Sequence, residues 1–411
     1  MNRPVAITGV GVLSAAGRGL DALASAMANN RFHGSAQTSA LPVPFGGIVG
    51  GAVPPHPQHP DDRKADLAFA ALEDALQSAI LDDPASWPEP RARAVFLGTG
   101  LSSVTPTELE EDLFPYLDGE GRFDRVAMAQ DLSQDRGAPR RHMPARVTAT
   151  IAQRVGALGP TGTNFSACAA ASQAMLEGAR AIRRGDAELA IVGGHDSMVH
   201  PLGMLSFVVL GALSPTRCRP FDRSRDGFMM GEGAAMFVLE DAERARRRGA
   251  TIFGYLLGGG TSVDAWNATA PHPEGVGAEL AMRRALRDAG LRPDQVDYVN
   301  FHGTGTPLGD AAESNAVVNV FGPHIAASSI KGAVGHTIAA AGAVEAAACL
   351  AALRLGLHPG TVGLEQLDES LPLRPLAQSV HAAPSVMLSN SFGFGGQNSA
   401  LLLGHPTRAP I

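Results

Sequence analysis

A single cysteine, Cys168, stands in the stretch "TNFSACAAASQAMLEGARAIRRGD", between a strand-like segment and a helix-like run. The pattern predicts a helix over about 168–184, with Cys168 in its first turn. Free backbone N–H groups and the positive end of the helix dipole at that place would stabilise a thiolate and bind an oxyanion. Cys168 is therefore a candidate nucleophile, although a cysteine among alanines is more often a buried apolar residue.

Two histidine motifs strengthen that hypothesis. The stretch "NFHGTGTPLGD" places His302 just past a strand end, in front of a glycine-rich turn that carries Thr304 and Thr306. The stretch "IKGAVGHTIAAAGAVE" places His336 at the start of an alanine-rich helix. A lone histidine at the position of His302 could simply cap a loop, so the two motifs gain weight only together.

Two further motifs belong with the histidines. Lys331 lies five residues before His336, and Glu345 lies nine residues after it, so the lysine is either a surface charge or a buried partner of the carboxylate. The stretch "NSFGFGGQN" at 390–398 is either a hairpin with aromatic anchors or a loop that approaches a ligand closely, with Phe394 as a movable wall.

The elements that must position these residues alternate along the chain. Short β-branched runs indicate strands, and longer runs between them indicate helices, which together predict an α/β protein with buried sheets. The predicted strands are 4–12, 93–100, 189–197, 234–241, 252–260, 298–306 and 385–396, and the predicted helices are 63–82, 168–184, 277–289 and 338–355. Residues 32–60 and 103–143 are predicted to be loops or excursions.

Composition excludes several classes of function. A formal net charge of -7 disfavours a surface that binds nucleic acid or anionic lipid. Three dispersed cysteines argue against a disulfide framework and favour the cytoplasm. The most apolar later run, 336–357, is mostly alanine and contains Glu345, so we expect a buried helix rather than a membrane span.

Other familiar motifs are missing or incomplete. The N-terminal "GVGVLSAAG" has Ser14 where a dinucleotide-binding loop needs its third glycine, and neither a Walker loop nor a G-x-S-x-G elbow occurs. His56 and His59 have no cysteine or carboxylate at ligand spacing, so no metal site is predicted.

Taken together, Cys168, His302, Lys331, His336 and the 390–398 loop resemble the beta-ketoacyl-[acyl-carrier-protein] synthases in order and spacing. The similarity is greatest to the synthase II type and to type II polyketide ketosynthases. The resemblance implies an acyltransferase of α/β class with the thiolase fold, two similar α/β halves in a five-layered α-β-α-β-α arrangement. The halves would be 1–250, with the nucleophile, and 251–411, with both histidine motifs.

The resemblance also implies roles for single residues. Cys168 would take an acyl group from an acyl carrier protein, while His302 and His336 would stabilise the enolate formed from malonyl on a second carrier. The backbone N–H groups of Cys168 and Phe394 would form an oxyanion hole, and Phe394 would gate the site. The remaining assignments are Lys331 and Glu345 as orienting groups and Thr304 and Thr306 as contacts for the pantetheine arm.

The implied reaction is a decarboxylative Claisen condensation in fatty acid or type II polyketide or polyene biosynthesis. It uses no permanent cofactor beyond the phosphopantetheine arm of the carrier. Carrier docking is predicted at Arg63 and Lys64, or at Arg140 and Arg141. The partners would be the carrier and a second subunit, in a homodimer or in a heterodimer with a chain-length factor.

The sequence departs from the family pattern in a few places, and two rival functions stay open. Gly305 replaces a frequent serine, and residues 101–141 diverge where the acyl pocket or a subunit interface would lie. A noncatalytic chain-length factor would lack the nucleophile, and a thiolase would carry a different cysteine and histidine arrangement near its C-terminus. The intact set of Cys168, His302 and His336 favours the synthase.

Overall fold

The fold is taken from a computed structural model that describes residues 4–30, 46–47, 62–81, 86–100, 106–134 and 143–407. Its strands are β1 (Val5–Ser14), β2 (Gly17–Arg18), β3 (Gly46–Gly47), β4 (Arg93–Thr99), β5 (Thr161–Asn164), β6 (Leu189–Ser197), β7 (Met230–Asp241), β8 (Gly254–Val263), β9 (Tyr298–Asn300), β10 (Ala326–Ser328), β11 (Leu357–His358), β12 (Val380–His381), β13 (Val386–Gly393) and β14 (Gln397–Gly404). Its helices are α1 (Leu20–Ala28), α2 (Arg63–Ser78), α3 (Pro106–Leu113), α4 (Arg125–Ser133), α5 (Ala145–Arg154), α6 (Ala170–Arg184), α7 (Pro201–Val209), α8 (Ala242–Arg247), α9 (Val276–Ala289), α10 (Pro307–Phe321), α11 (Lys331–Val334) and α12 (Ala341–Leu355).

The long strands form two sheets with the same strand order. In the first half the order is β5-β4-β6-β7-β1, and in the second half it is β10-β9-β13-β14-β8. Strand directions repeat as well, because the first three strands of each order run parallel and the last two pair antiparallel. The two sheets join through a short antiparallel pairing of β1 with β8. The chain is thus built from two similar α/β halves.

Five layers follow from the way apolar side chains alternate along the strands. In β14, Leu401 and Leu403 face the central layer of α6 and α12, whereas Ala400 and Leu402 face α9 and α10. A third cluster packs α2 and α5 on the outer face of the first sheet. The order of layers is therefore α, β, α, β, α, as the family resemblance implied.

The most apolar helical stretch lies in the central layer. Residues Ile338–Leu355 are long and apolar enough to cross a bilayer, but 89% of this stretch is buried inside the protein. Its alanines allow α12 to pack closely against both sheets, which explains the composition without a membrane.

Several predicted elements differ from the observed ones. The strand predicted over 298–306 ends at Asn300, because the following backbone turns to present its N–H groups to carboxylates of α10. The region 103–143, predicted as loops, contains α3 and α4 in its described part. Most of the predicted loop 32–60 lies outside the described residues.

Candidate active site

Cys168 lies at the bottom of a cavity, in a tight turn between β5 and α6. The turn is a short 3-10 helix, Ala167–Ala169, so the α-helix proper begins at Ala170, two residues later than predicted. Ala167 has φ 46°, a left-handed conformation that is strained for alanine and persists only where the surroundings enforce it. Gly393 provides part of this enforcement, since a Cβ there would lie 2.9 Å from the backbone nitrogen of Cys168.

His336 reaches Cys168 from the other half of the chain. Its Nε2 atom lies 3.1 Å from Sγ of Cys168, and both side chains are buried. Its backbone is held by β7 of the first half, because His336 N–H donates to Met229 O at 2.7 Å and Gly231 N–H donates to His336 O at 2.8 Å. Backbone hydrogen bonds between the halves therefore fix the distance between the thiol and the imidazole.

His302 follows the end of β9, as predicted, and two carboxylates of α10 shape its loop. Glu313 accepts hydrogen bonds from His302 N–H and Gly303 N–H, both at 2.8 Å. Asp310 accepts the N–H of Gly305 at 3.0 Å. The His302 and His336 rings meet edge to face, with centroids 5.2 Å apart.

Lys331 is buried and joins His302 to α12. Its side chain is 1% exposed, its Nζ atom lies 3.3 Å from Nδ1 of His302, and it forms an ion pair with Glu345. An ammonium group can only donate, so His302 accepts at Nδ1 and carries its ring proton at Nε2. That tautomer leaves an N–H free to donate into the cavity.

Burial sets the protonation of the reacting groups. Burial, reinforced by the charge of Lys331, lowers the pKa of His302 and His336 well below its ordinary value. Both rings are therefore neutral at pH 7. Burial raises the pKa of the Cys168 thiol to about 12 and outweighs the opposing effect of Lys331. The resting residue is therefore a thiol rather than the stabilised thiolate that the helix position predicted.

Phe394 contributes both its backbone and its ring. Its backbone N–H donates a hydrogen bond to the Cys168 sulfur. Its ring stacks on Phe207 at 6.0 Å, and Phe207 in turn packs edge-on against Phe228. An aromatic cluster thus closes one side of the thiol.

One cavity connects these groups to the surface. It has an empty volume of about 800 Å³ with its open mouth included, and its wall contains Cys168, both histidines and Phe394. Thr304 and Thr306 line it too, with their hydroxyl oxygens 2.9 Å apart. The structure therefore brings every predicted catalytic residue into or next to a single cavity.

The thiol and the two imidazoles also satisfy the spacing of a metal site, since one ligand atom from each lies within 4.8 Å of the others. Two features argue against a cation there. The ammonium of Lys331 would repel it, and the proton on Nε2 of His302 blocks that lone pair. The trio is better suited to an anionic oxygen.

Of the predicted carrier-docking residues, the two that the structure describes are not free surface charges. Lys64 is only 4% exposed, which contradicts its assignment, because α2 turns this side chain inward. Arg63 pairs with Glu232 at 2.9 Å. Arg140 and Arg141 lie outside the described residues.

Sequence reasoning missed the carboxylates that support the site. Asp310 and Glu313 lie three residues apart on α10, so both face the glycine-rich loop of His302. Burial raises the pKa of Asp310 to about 6 and that of Glu313 to about 7. Two acidic residues on one face of a helix that directly follows "HGTGTP" are a signal that could have identified them.

Comparisons with known proteins agree with the geometry. The family model of the beta-ketoacyl synthase N-terminal domain matches residues 52–245, and that of the C-terminal domain matches 253–365. A mitochondrial 3-oxoacyl-[acyl-carrier-protein] synthase of Arabidopsis thaliana is 42% identical over 266 residues. That alignment spans 61% of this chain and 58% of the relative, so the matched part is less than two thirds of the curated protein.

Solved structures match over nearly the whole chain. The ishigamide ketosynthase/chain length factor structure has a TM-score of 0.84 and 31% identity, covering 98% of this chain and 100% of that one. A ketosynthase in complex with its chain length factor from Xenorhabdus doucetiae has the same TM-score and identity, with 98% of both chains covered. The predicted thiolase fold is therefore confirmed, and the chain belongs to the beta-ketoacyl synthase family.

Proposed function

We propose that the protein is a condensing enzyme that joins an acyl group on Cys168 to malonyl-[acyl-carrier protein] and forms 3-oxoacyl-[acyl-carrier protein]. The observation that carries this proposal is one cavity with a thiol, two neutral imidazoles and a buried lysine. The relatives named 3-oxoacyl-[acyl-carrier-protein] synthase support it.

Acyl transfer is the first half-reaction. The Cys168 sulfur attacks the thioester carbonyl of the acyl carrier, the carbon–sulfur bond to the carrier breaks, and the thiol proton passes to the departing sulfur. His336 Nε2 is within hydrogen-bond distance of that proton. The N–H groups of Cys168 and Phe394 stabilise the oxyanion of the tetrahedral intermediate.

Decarboxylation and condensation follow in the cavity after the first carrier has left. The carbon–carbon bond to the malonyl carboxylate breaks and carbon dioxide leaves. The electron pair of the broken bond stays on the remaining carbon and forms an enolate. Neutral His302 and His336 donate N–H groups to the enolate oxygen without protonating the carbon. The carbon then attacks the acyl-Cys168 carbonyl, the carbon–sulfur bond to Cys168 breaks, and the released thiolate takes up one proton from solvent.

The carrier delivers both substrates on its phosphopantetheine arm. Thr304 and Thr306 line the cavity above His302 and are the proposed contacts for that arm. A neighbouring structure described as a type II polyketide acyl-carrier protein in complex with its ketosynthase, TM-score 0.86, supports such a partner. No permanent cofactor is part of the proposal, and the proposed compartment is the cytoplasm.

A second candidate is the catalytic subunit of a heterodimer with a chain-length factor. Two of the neighbouring structures are described as such pairs, which supports this alternative as a second possibility. The native mass of the protein, expressed alone and then together with a related subunit, distinguishes the two assemblies. The proposed halves, 1–250 and 251–411, remain as predicted from the sequence.

Intact-protein mass spectrometry tests the proposed function. Incubation with a panel of acyl carriers should add one acyl group to Cys168, and release of carbon dioxide from malonyl carrier should follow. A protein that neither gains acyl mass nor releases carbon dioxide would contradict the proposal.

A further inference from the structure

Asp196 is a buried carboxylate that has no part in the proposed reaction. It lies near the end of β6, fully enclosed, and both of its oxygens accept backbone hydrogen bonds. Oδ1 accepts Ser197 N–H at 2.9 Å, and Oδ2 accepts Ala339 N–H at 3.1 Å. The second bond connects the two halves of the chain.

The turn that Asp196 holds is strained and adjoins His336. Residues Ile338–Ala340 form a 3-10 turn that leads into α12, and Ile338 has φ 47°. A β-branched residue in the left-handed region is an outlier that requires support from its surroundings. His336 lies two residues before Ile338, and Ile338 packs in the same apolar cluster as Cys168.

Helix α12 also depends on this contact. The Asp196 carboxylate accepts the Ala339 N–H at the start of the helical stretch Ile338–Leu355, where an anion is favoured by the helix dipole. Glu345, the partner of Lys331, is carried by the same helix. The contact therefore supports the turn after His336 and the helix that orients Lys331.

We propose that Asp196 is a positioning residue that keeps His336 against the Cys168 sulfur by anchoring the turn Ile338–Ala340. This inference rests on the proposed function for its catalytic consequence. Asp196 touches no reacting atom, so its effect passes through His336. Its charge has a second effect, because it opposes formation of a thiolate at Cys168.

Two variants separate position from charge. Asp196→Asn removes the charge and leaves only one side-chain acceptor for two backbone N–H groups. Gly100→Ala keeps the charge but places a methyl group 2.3 Å from Oδ2 of Asp196, so the carboxylate must move. Asp288→Asn is the control, since Asp288 also accepts a backbone N–H, that of Gly259 at 3.0 Å, and does not line the cavity.

The first readouts are malonyl decarboxylation, Cys168 acylation and the pH profile of Cys168 alkylation by iodoacetamide. Both test variants should lose decarboxylation on the order of tenfold, with a smaller loss of acylation. Only Asp196→Asn should move the alkylation profile to lower pH. Unchanged decarboxylation in both variants, or equal losses in decarboxylation and acylation, would overturn the proposal.

A further readout does not require condensing activity. 1,3-Dibromoacetone should crosslink Cys168 to His336 in the unsubstituted protein and in Asp288→Asn, and less efficiently in both test variants, as measured by peptide mass. If the unsubstituted protein crosslinks but releases no carbon dioxide, the proposed function fails while Asp196 is still tested. Crosslinking that is equal in all four proteins would overturn the positioning role.

Discussion

The Nε2 atom of His336 lies 3.1 Å from the Sγ atom of Cys168, although 168 residues separate them in the chain. The two side chains belong to different halves of the fold, and the backbone of His336 is bonded to β7 of the half that carries Cys168. The proposed catalysis thus depends on the contact between the halves as much as on either residue.

Substitution of the nucleophile should remove the acyl-enzyme altogether. In Cys168→Ala no sulfur is available to attack the thioester, so intact mass after incubation with acyl carrier should stay unchanged. Cys349→Ala, in the central helix α12, should acquire the acyl group as the unsubstituted protein does. Full elongation activity in Cys168→Ala would contradict the assignment.

Substitution of either histidine should affect one half-reaction more than the other. His302→Ala and His336→Ala each remove one donor to the enolate, so malonyl decarboxylation should fall by about 10²-fold or more. Acylation of Cys168 should fall less, as followed by intact mass. The control is His405→Ala, whose side chain contacts Thr407 at the surface. Equal losses in the two steps would refute separate roles.

Lys331 should set the acid limit of activity. Burial is the larger cause of the lowered pKa of both histidines, and the charge of Lys331 lowers it further, so Lys331→Met combined with Glu345→Gln should raise these pKa values part of the way toward their ordinary value. The rings would then become protonated at higher pH, and the acid limb of the decarboxylation rate should move upward. Glu345→Gln alone keeps the lysine and serves as control. An acid limb in the same place would show that burial alone keeps the rings neutral.

The loop before Phe394 should be needed for both half-reactions. A Cβ in Gly393→Ala would lie 2.9 Å from the Cys168 backbone nitrogen and would displace the Phe394 N–H from the sulfur. Acylation and condensation should therefore fall together, unlike in the histidine variants. Gly119→Ala, where a Cβ meets open space, is the control. Normal rates in Gly393→Ala would argue against this oxyanion hole.

His195 should make the fold sensitive to acid. It is fully buried, neither ring nitrogen has a hydrogen-bond partner in the described part of the chain, and burial lowers its pKa to about 3. Between pH 6.5 and about 3 the unfolded chain binds a proton that the folded chain does not, so the free energy of unfolding falls as the pH falls.

In His195→Leu this proton uptake disappears, and the free energy of unfolding at pH 7 should rise by about 1–3 kcal/mol because two unpaired polar atoms are removed. Chemical denaturation at pH 7 and pH 5 measures both effects. The same change at exposed His324 should alter stability by less than about 0.5 kcal/mol. Stabilities of parent and variant that fall in parallel on acidification would refute this account.

The residues of the proposed site could be picked out from the sequence because their motifs are local. Cys168 stands at a helix start and His302 follows a strand. Both positions can be recognised from the adjacent residues in the sequence, without knowledge of the tertiary structure. The pairing of Lys331 with Glu345 was predictable as well, since the two residues lie a short way before and after His336 in the sequence.

Long-range contacts explain what the sequence could not provide. Nothing near Asp196 in the sequence indicates that its carboxylate meets Ala339, 143 residues away. The burial of Lys64 depends on how α2 packs on the first sheet, and a charged residue at a helix start normally faces solvent. The neutral thiol of Cys168 likewise depends on enclosure by residues from both halves.

Because the site is divided between the halves, its residues are translated at different times. Cys168 leaves the ribosome early, whereas His336 and Phe394 come later, and strand β14 completes the second sheet only when Gly404 has been made. A nascent chain therefore carries a thiol that lacks its imidazole and its oxyanion donor. The proposed reaction with an acyl carrier therefore has to wait until translation has passed the last strand.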